Sequence, residues 1–524
     1  MSFSEMNKED QIQKRQNVLF IICDALRKDY LSCYGNTEVH TPNIDRLASQ
    51  GVIFTNYFAA NSICMPNRAT LLTGLYPNTH GVRSNGMKLS ENIPTLTQTL
   101  INRGWHTGAI GKIHHQFWMG PISHKYKSAE NIYEWVLNEK KQKKKPVGKN
   151  FPLPYYGYEE VELVIGNGSV CSGHYTKWLD QKNPKISKQT RDRCYDLNQI
   201  FELFCDPIPE ELNSSTYITE RTIAFLERQA NGKYGEKPFY LHCSFPDPHY
   251  PIAPPERFLQ MYPPKNMSVP DNFYDSENLY NHPFLSGYLT GYEGAMFKRA
   301  LLRETSVEEM QKIKAYTYAS LTYIDECVGK IVQKLEDLGM DKNTIIIFTS
   351  DHGDLMGDHG LLFKGPCPYD SISHIPLIWV NPEKNNQGET CSAMMSSVDY
   401  APTLLSKLGI LERFQPEGME GMNLASLLEN PKEELRKVCM VEGDEEINPM
   451  HSRLRKVITK EYAITVYENF PNYADIYDRK KDPMEIHNLW YDRAFKDKKH
   501  ELIDLVLHTM LKTQSHKPKR IAGT

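Results

Sequence analysis

"NTIIIFTSDHGDLMGDHG", residues 343–360, changes character in its middle. Its opening, NTIIIFTS, is a short apolar and β-branched run of the kind that forms a buried strand. From Thr349 onward, twelve residues hold three Asp, two His and three Gly, which suits a coordinating loop better than a core. The same grammar, a strand-length apolar run followed at once by polar residues, recurs three times. "NVLFIIC" (17–23) is followed by Asp24, "HTGAIG" (106–111) by Lys112 and His114, and "KPFYLHCSF" (237–245) by Pro-Asp-Pro and His249. In open α/β sheets ligands bind outside the carboxyl ends of the strands, so four strands would carry these residues, with Asp351 and His352, to one edge.

Helical patterns lie between the strand runs. "TPNIDRLASQG" offers Thr41 as N-cap, Pro42 at the first helical position and Gly51 just past the end, and a longer pattern beginning at Thr305 closes on Gly339. The alternation predicts an α/β fold built on a large, mostly parallel sheet sandwiched by helices. Residues 1–16 read as a polar tail and 17–430 as the main domain, with 115–235 as an irregular insertion. Residues 431–515 read as a small α+β subdomain with antiparallel strands such as "EYAITVYE" and a final helix, "ELIDLVLHTMLK", and 516–524 as a second tail. The basic run "KKQKKK" (140–145) reads as a solvated face of the insertion. A chain of 524 residues is long enough for one large domain and a smaller one.

Composition narrows the function classes. With 40% hydrophobic and 24% charged residues and a net charge of -4, the chain has no global attraction for nucleic acid or anionic membranes, so anion recognition must be local. The apolar runs are far too short to span a bilayer. Eleven cysteines without a C-x-x-C pair, behind a polar first sixteen residues, predict reduced thiols and a cytoplasmic location.

Two carboxylates and an imidazole, from Asp24, Asp351 and His352, would suit a divalent cation, the imidazole leaning toward manganese or zinc and away from calcium. Arg68, Lys112, His114, His249 and Lys364 would surround a tetrahedral anion if the strand ends converge. "NSICMPNRATLLTG" (61–74) then poses a question: Cys64 stands at the spacing C-x-P-x-R ahead of a helix, with Pro66 at the expected first helical position and the positive helix end facing Cys64. It could be a buried small residue, a thiol nucleophile, or the precursor of another group.

"CMPNRATLLTG" resembles the signature of type I sulfatases, members of the alkaline-phosphatase superfamily in which this cysteine is converted after translation to formylglycine. "NVLFIICDALRKDYLSCYGN", "TPNIDRLASQGVIFTNYF", "GKIHH", "SFPDPHYPIAPP", "FTSDHGDLMGDHGLLFKG", "SSVDYAPTLLSKLG" and "IYDRKKDPMEIHNLW" resemble sulfatase segments in the same order, over nearly the whole chain apart from 115–235. The resemblance implies hydrolysis of a sulfate ester by a formylglycine hydrate, one hydroxyl attacking sulfur and the other expelling sulfate. It implies one metal ion, Ca2+ or Mn2+, on Asp24, modified Cys64, Asp351 and His352, with Asp351 also as base. Arg68 and Lys112 would hold the hydrate and the sulfate, and His114 would take a proton from the second hydroxyl. His249 and Lys364 would bind sulfate and assist the leaving alcohol, and Asn85 is a further substrate-contact candidate. A formylglycine-generating enzyme is implied as a maturation partner, and a small-molecule or sugar sulfate as substrate. A homo-oligomer is compatible with the sequence.

The chain departs from most sulfatases in two places. Asp24-Ala25 stands where two Asp are usual, and Asp351-His352 where Asp-Asn is usual. Both resemble the phosphonate monoester hydrolase and choline-sulfatase branch, whereas Lys112 and His114 keep the sulfatase pattern. Hydrolysis of a phosphonate monoester or phosphodiester at the same site is therefore the alternative. Asn67 replaces a common Ser inside an intact C-x-P-x-R frame, and the "NGSVCSGHY" stretch around His174 is a candidate specificity region.

Overall fold

The run from Asn17 forms strand β1 (Asn17–Asp24), buried along its whole length. A strand that is apolar on both faces must be covered on both. Leu19, Ile21 and Cys23 enter one core, and Val18, Phe20 and Ile22 enter another on the opposite face. The computed structural model describes residues 15–120, 127–132, 135, 151–195, 202–275, 279–290, 303–365, 367, 369–383, 386–444 and 452–514. The KKQKKK run, the C-terminal tail and all but the end of the N-terminal tail lie outside the described residues.

β1 is central in a nine-stranded sheet of order β11-β2-β10-β8-β1-β6-β3-β4-β5. The other members are β2 (Val52–Phe58), β3 (His106–Gly111), β4 (Glu160–Asn167), β5 (Val170–Gly173), β6 (Phe239–Pro248), β8 (Thr344–Ser350), β10 (Leu377–Val380) and β11 (Glu389–Ser396). β1 pairs parallel to β6 and β8, β3 to β6 and β4, and β2 to β11, whereas β10 runs against β2 and β8, and β5 against β4. The carboxyl ends of five adjacent strands, β8, β1, β6, β3 and β4, therefore share one edge. β7 (Arg303–Glu304) and β9 (Leu361–Leu362) form a separate ribbon.

Helix α1 (Pro42–Gln50) starts at Pro42 and stops before Gly51 as the sequence predicts. A Cβ at Gly51 would lie 2.4 Å from the Trp379 carbonyl oxygen, which explains the glycine. Thr41 occupies the N-cap position, but its hydroxyl pairs with Ser32. The free N–H groups of Asn43 and Ile44 are taken instead by the Asp325 carboxylate, at 3.1 and 2.7 Å. Helix α2 (Cys64–Thr73) is buried on all sides, as an all-round covered helix must be when it fills the space between a sheet and other helices. Helices α3 (Ser214–Ala230) and α4 (Val307–Asp337) cover the other face, contributing Ile218, Phe225, Tyr318 and Ile324 to the core that contains Leu19.

The described residues of 115–235 hold regular elements that the irregular sequence pattern does not reveal. They supply β4, β5 and α3, and helices over His174–Lys182 and Pro184–Tyr195. Toward the C-terminus, β12 (Cys439–Gly443), β13 (Leu454–Ile458), β14 (Tyr462–Tyr467) and β15 (Ala474–Asp478) make a four-stranded antiparallel sheet in that order. Helix α6 (Lys496–Lys512) packs Leu502 and Val506 against it, in one cluster with Ala60, Tyr76 and Val398 of the main body; α5 (Tyr400–Lys407) lies on the main sheet. Asp370, which accepts from Lys456 Nζ at 2.6 Å and Arg479 Nε at 3.2 Å, ties the two parts together.

One buried histidine makes a pH prediction. His80 accepts from Val82 N at 3.1 Å through Nδ1 and contacts Thr70 Oγ1 at 3.1 Å through Nε2, and burial pushes it down to about 3. It is neutral when folded and takes up a proton when unfolded, so its stabilising effect is present above pH 6.5 and is lost as pH falls toward 3. Between pH 6.5 and 5 the loss amounts to about 1.6 kcal/mol. Urea unfolding of His80→Gln should show a pH 6.5 to 5 slope flatter by about that amount than the parent.

Candidate active site

Cys64 and Arg68 are four residues apart on α2 and so share one helix face. The helix begins at Cys64 itself. Pro66 is the third helical residue, a correction to its expected first place, and costs nothing there because first-turn N–H groups have no partner within the helix. Asn85 Oδ1 accepts from Met65 N at 3.1 Å. Its oxygen is thus committed to the start of the helix, beside Cys64.

The strand ends converge on the Cys64 sulfur. One ligand atom from each of Asp24, Cys64, Asp351 and His352 lies within 4.8 Å of the others, and all four residues are buried. Sγ is 3.0 Å from His352 Nε2, 3.7 Å from Asp24 Oδ1 and 2.9 Å from Lys364 Nζ. Lys364 also reaches His352 Nε2 at 2.8 Å and His249 Nε2 at 3.2 Å, and both Lys364 and His249 are half-buried, on the open side of the cluster. Lys112 Nζ bonds Asp24 Oδ2 and Asn167 Oδ1. Arg68 Nε donates to Asp351 Oδ2 at 2.7 Å, and Nη1 donates to the Lys112 carbonyl at 2.8 Å and Ser244 Oγ at 2.9 Å. His114 sits near enough to Cys64 for each to shift the other's titration, and burial with Lys112 pushes it down to about 4. Ala25 and His114 both take left-handed backbone conformations, at φ of 61° and 59°, the kind of local strain that clusters at functional sites.

These charges define the centre. Burial pushes the Cys64 thiol up, but Lys364, His352 and Lys112 outweigh it and hold the thiol well below its ordinary value. Asp24, despite burial and the Cys64 charge, is held below the usual carboxylate range by Lys112, His249 and Arg68. His352 is held above its ordinary value by Asp351 and Cys64 against burial and Lys364. Lys364, Lys112 and Arg68 therefore favour negative charge at residue 64 and Asp24, and Asp351 with residue 64 in turn favours a positive charge at His352. The His352 Nδ1 lies 2.7 Å from the Gly353 carbonyl, which fixes that nitrogen as the donor and leaves the Nε2 lone pair facing the cluster. A donor set of two carboxylates, an imidazole and the atom at residue 64 fits a divalent cation.

Three residues to which the sequence reading assigned no catalytic or binding role also join the site. Asn167 ends β4, Ser244 lies within β6, and Asn67 donates to the Asp351 carbonyl at 2.5 Å while accepting from Ala60 N at 3.1 Å. His174 stands apart: its Nδ1 accepts from Leu163 N at 2.9 Å and its ring packs edge-on against Trp135. Gly168, next to Asn167, has φ +47°, and a Cβ there would lie 2.2 Å from the His249 carbonyl and 2.3 Å from that of Pro251. Gly168→Ala should displace His249 and Asn167 and lower kcat about tenfold to a hundredfold, with binding of the cation little changed by titration.

Buried acidic and basic groups converge on Cys64 at the carboxyl edge of a mostly parallel α/β sheet, an arrangement that fits the hydrolases of the alkaline-phosphatase superfamily. The "Sulfatase" family model matches residues 16–410, and "N-sulphoglucosamine sulphohydrolase, C-terminal" matches 357–514. The chain belongs to the sulfatase family. It is 26% identical over 500 residues to the uncharacterized sulfatase YidJ of Escherichia coli, covering 95% of this chain and 87% of that one. It is 25% identical over 530 residues to an N-acetylglucosamine-6-O-sulfatase of Bacteroides thetaiotaomicron, covering 98% and 89%. In fold it is similar to a phosphonate monoester hydrolase of Agrobacterium radiobacter, with a TM-score of 0.76 at 24% identity over 96% of this chain and 97% of that one.

Proposed function

We propose that the protein hydrolyses sulfate esters of sugars or related alcohols through a formylglycine made from Cys64, with one divalent cation, Ca2+ or Mn2+, on Asp24, residue 64, Asp351 and His352. The observation that carries this reading is the buried four-residue cluster with Lys112, Lys364 and His249 placed around it. The relative that acts on N-acetylglucosamine-6-O-sulfate supports a sugar, and the His352 nitrogen favours manganese.

When bound, the cation would polarise the nucleophile and the sulfate oxygens. Formylglycine, hydrated, would supply the attacking hydroxyl. The chain's own groups do the remaining work. Asp351, held in place by Arg68 Nε and by the N–H groups of Ala25 and His352 at 3.2 and 2.9 Å, accepts the proton of that hydroxyl. Neutral His114 takes the proton of the second hydroxyl. Lys112 and Lys364 hold sulfate oxygens, and His249 Nε2 with Lys364 Nζ lies on the open side, where the leaving alcohol departs. Cys64 is only 1% exposed, so the modifying enzyme acts before folding. All eleven cysteines are unpaired, which supports a reducing, cytoplasmic setting.

Ala25 in place of a second carboxylate favours the second reading, hydrolysis of a phosphonate monoester or phosphodiester by the same groups. The test is mass spectrometry of the tryptic peptide Leu47–Arg68 from protein made in its own host, followed by matched aryl sulfate, phosphonate monoester and phosphodiester assays. A peptide in which an aldehyde oxygen replaces the Cys64 thiol, with sulfate as the best substrate, is the expected result. An unmodified thiol, or dominant phosphonate turnover, would overturn the reading.

A further inference from the structure

Between α2 and the sheet face that carries Phe20 and Tyr240 lies a buried cavity with about 10 Å³ of room for the centre of a water, close to what one water needs. It is lined by Arg68, His115, Tyr158 and His242, by Tyr240 and Tyr400, whose hydroxyls pair with each other at 3.1 Å, and by apolar side chains. These polar residues are fully or nearly fully buried: Arg68 is 2% exposed, His115 1%, Tyr158 1% and His242 5%. Four of their atoms, Arg68 Nη2, both ring nitrogens of His115, and His242 Nε2, have no hydrogen-bond partner in the protein. The other ring nitrogen of His242 is fixed by Tyr158 OH at 2.9 Å. Arg68 uses Nε and Nη1 on the catalytic side, on Asp351, the Lys112 carbonyl and Ser244, so Nη2 is its one unpaired nitrogen.

An unpaired donor on a buried guanidinium is costly, and so is an unpaired imidazole nitrogen. One small molecule with two donors and two acceptor lone pairs answers both. We propose that the cavity holds a single ordered water that accepts from Arg68 Nη2 and bonds His242 Nε2 and His115, and that His242 is thereby a positioning residue for Arg68. The chain of contacts runs from Tyr158 through His242 and the water to Arg68, and from Arg68 to Asp351. Burial, with the Arg68 charge nearby, pushes His242 down to about 3, so it remains neutral and available as a partner on either tautomer. The kinetic half of this inference rests on the proposed sulfate ester hydrolysis, and the structural half does not.

The experiment is a crystal structure of the full chain at a resolution that orders waters, together with kinetics of His242→Phe and His242→Gln on a sulfate ester. Density for one water within hydrogen-bond reach of both Arg68 and His242 is expected. His242→Phe should lower kcat about tenfold or more with KM nearly unchanged, and His242→Gln, which keeps a polar partner, should recover most of the loss. An empty cavity, or one closed by a rotated side chain, would overturn the proposal. So would His242→Phe at parental kcat, or a loss carried by KM alone. If the parent chain releases sulfate from no ester, the function reading fails while the density still decides the water.

Discussion

Cys64→Ala should fold and bind cations through Asp24, Asp351 and His352, yet release sulfate at least about 10⁴-fold more slowly than the parent. The sulfur atom is the point on which Lys364, His352 and Asp24 converge, at 2.9, 3.0 and 3.7 Å, so these three groups face whatever residue 64 carries. Cys64→Ser separates the two nucleophile chemistries. A serine has one hydroxyl where a hydrated aldehyde has two, and it can attack but has no second hydroxyl with which to expel the sulfate. Rapid-mixing measurements should show at most one alcohol released per site. Steady turnover by the serine variant would mean that water, and not the residue 64 side chain, completes the reaction. A thiol mechanism is separated by reagents: alkylation of Cys64 would then abolish activity, whereas chelators would leave it intact.

The strand-then-charge grammar made Asp24, Lys112, His114, His249, Asp351 and His352 legible, because in a parallel sheet a residue just past the strand's carboxyl end has one edge to go to. Asn167 obeys the same grammar, since "VELVIGNG" is a strand run ending in a polar residue between glycines. It stands at the head of NGSVCSGHY, which reads as a specificity region inside an irregular insertion, so no site role attached to Asn167 itself. Ser244 was hidden differently: a hydroxyl inside a buried strand looks like any other small residue until Arg68 Nη1 is found 2.9 Å away. Proline is commonest at the first helical position but is tolerated throughout the first turn, where its missing N–H has no partner to lose, so Pro66 marks the turn and not the residue at which the helix begins. Asn85 shows the reverse limit, because no local pattern tells whether an asparagine oxygen faces a ligand or the end of a helix 20 residues earlier in the chain.

Asp351→Asn should lose about 10³-fold in kcat and, in the same protein, roughly 3 kcal/mol of stability. The two losses have different origins. Asparagine can still accept from Ala25 N and His352 N through one oxygen, so the loop after β8 keeps its shape. The other position, now an amide nitrogen, meets the Arg68 Nε donor that the carboxylate oxygen held at 2.7 Å. Arg68 is then a buried cation facing a donor, and removal of one partner of a buried pair costs more than the pair was worth. Adding Arg68→Met to Asp351→Asn removes that unpaired charge, so the double variant should be more stable than Asp351→Asn alone in urea unfolding, and no more active. If activity returned with stability, Asp351 would be a structural partner of Arg68 and the proton would go elsewhere. Asp24 would then be the base to test, since it is the other buried carboxylate of the cluster and the one that Lys112, His249 and Arg68 keep ionised.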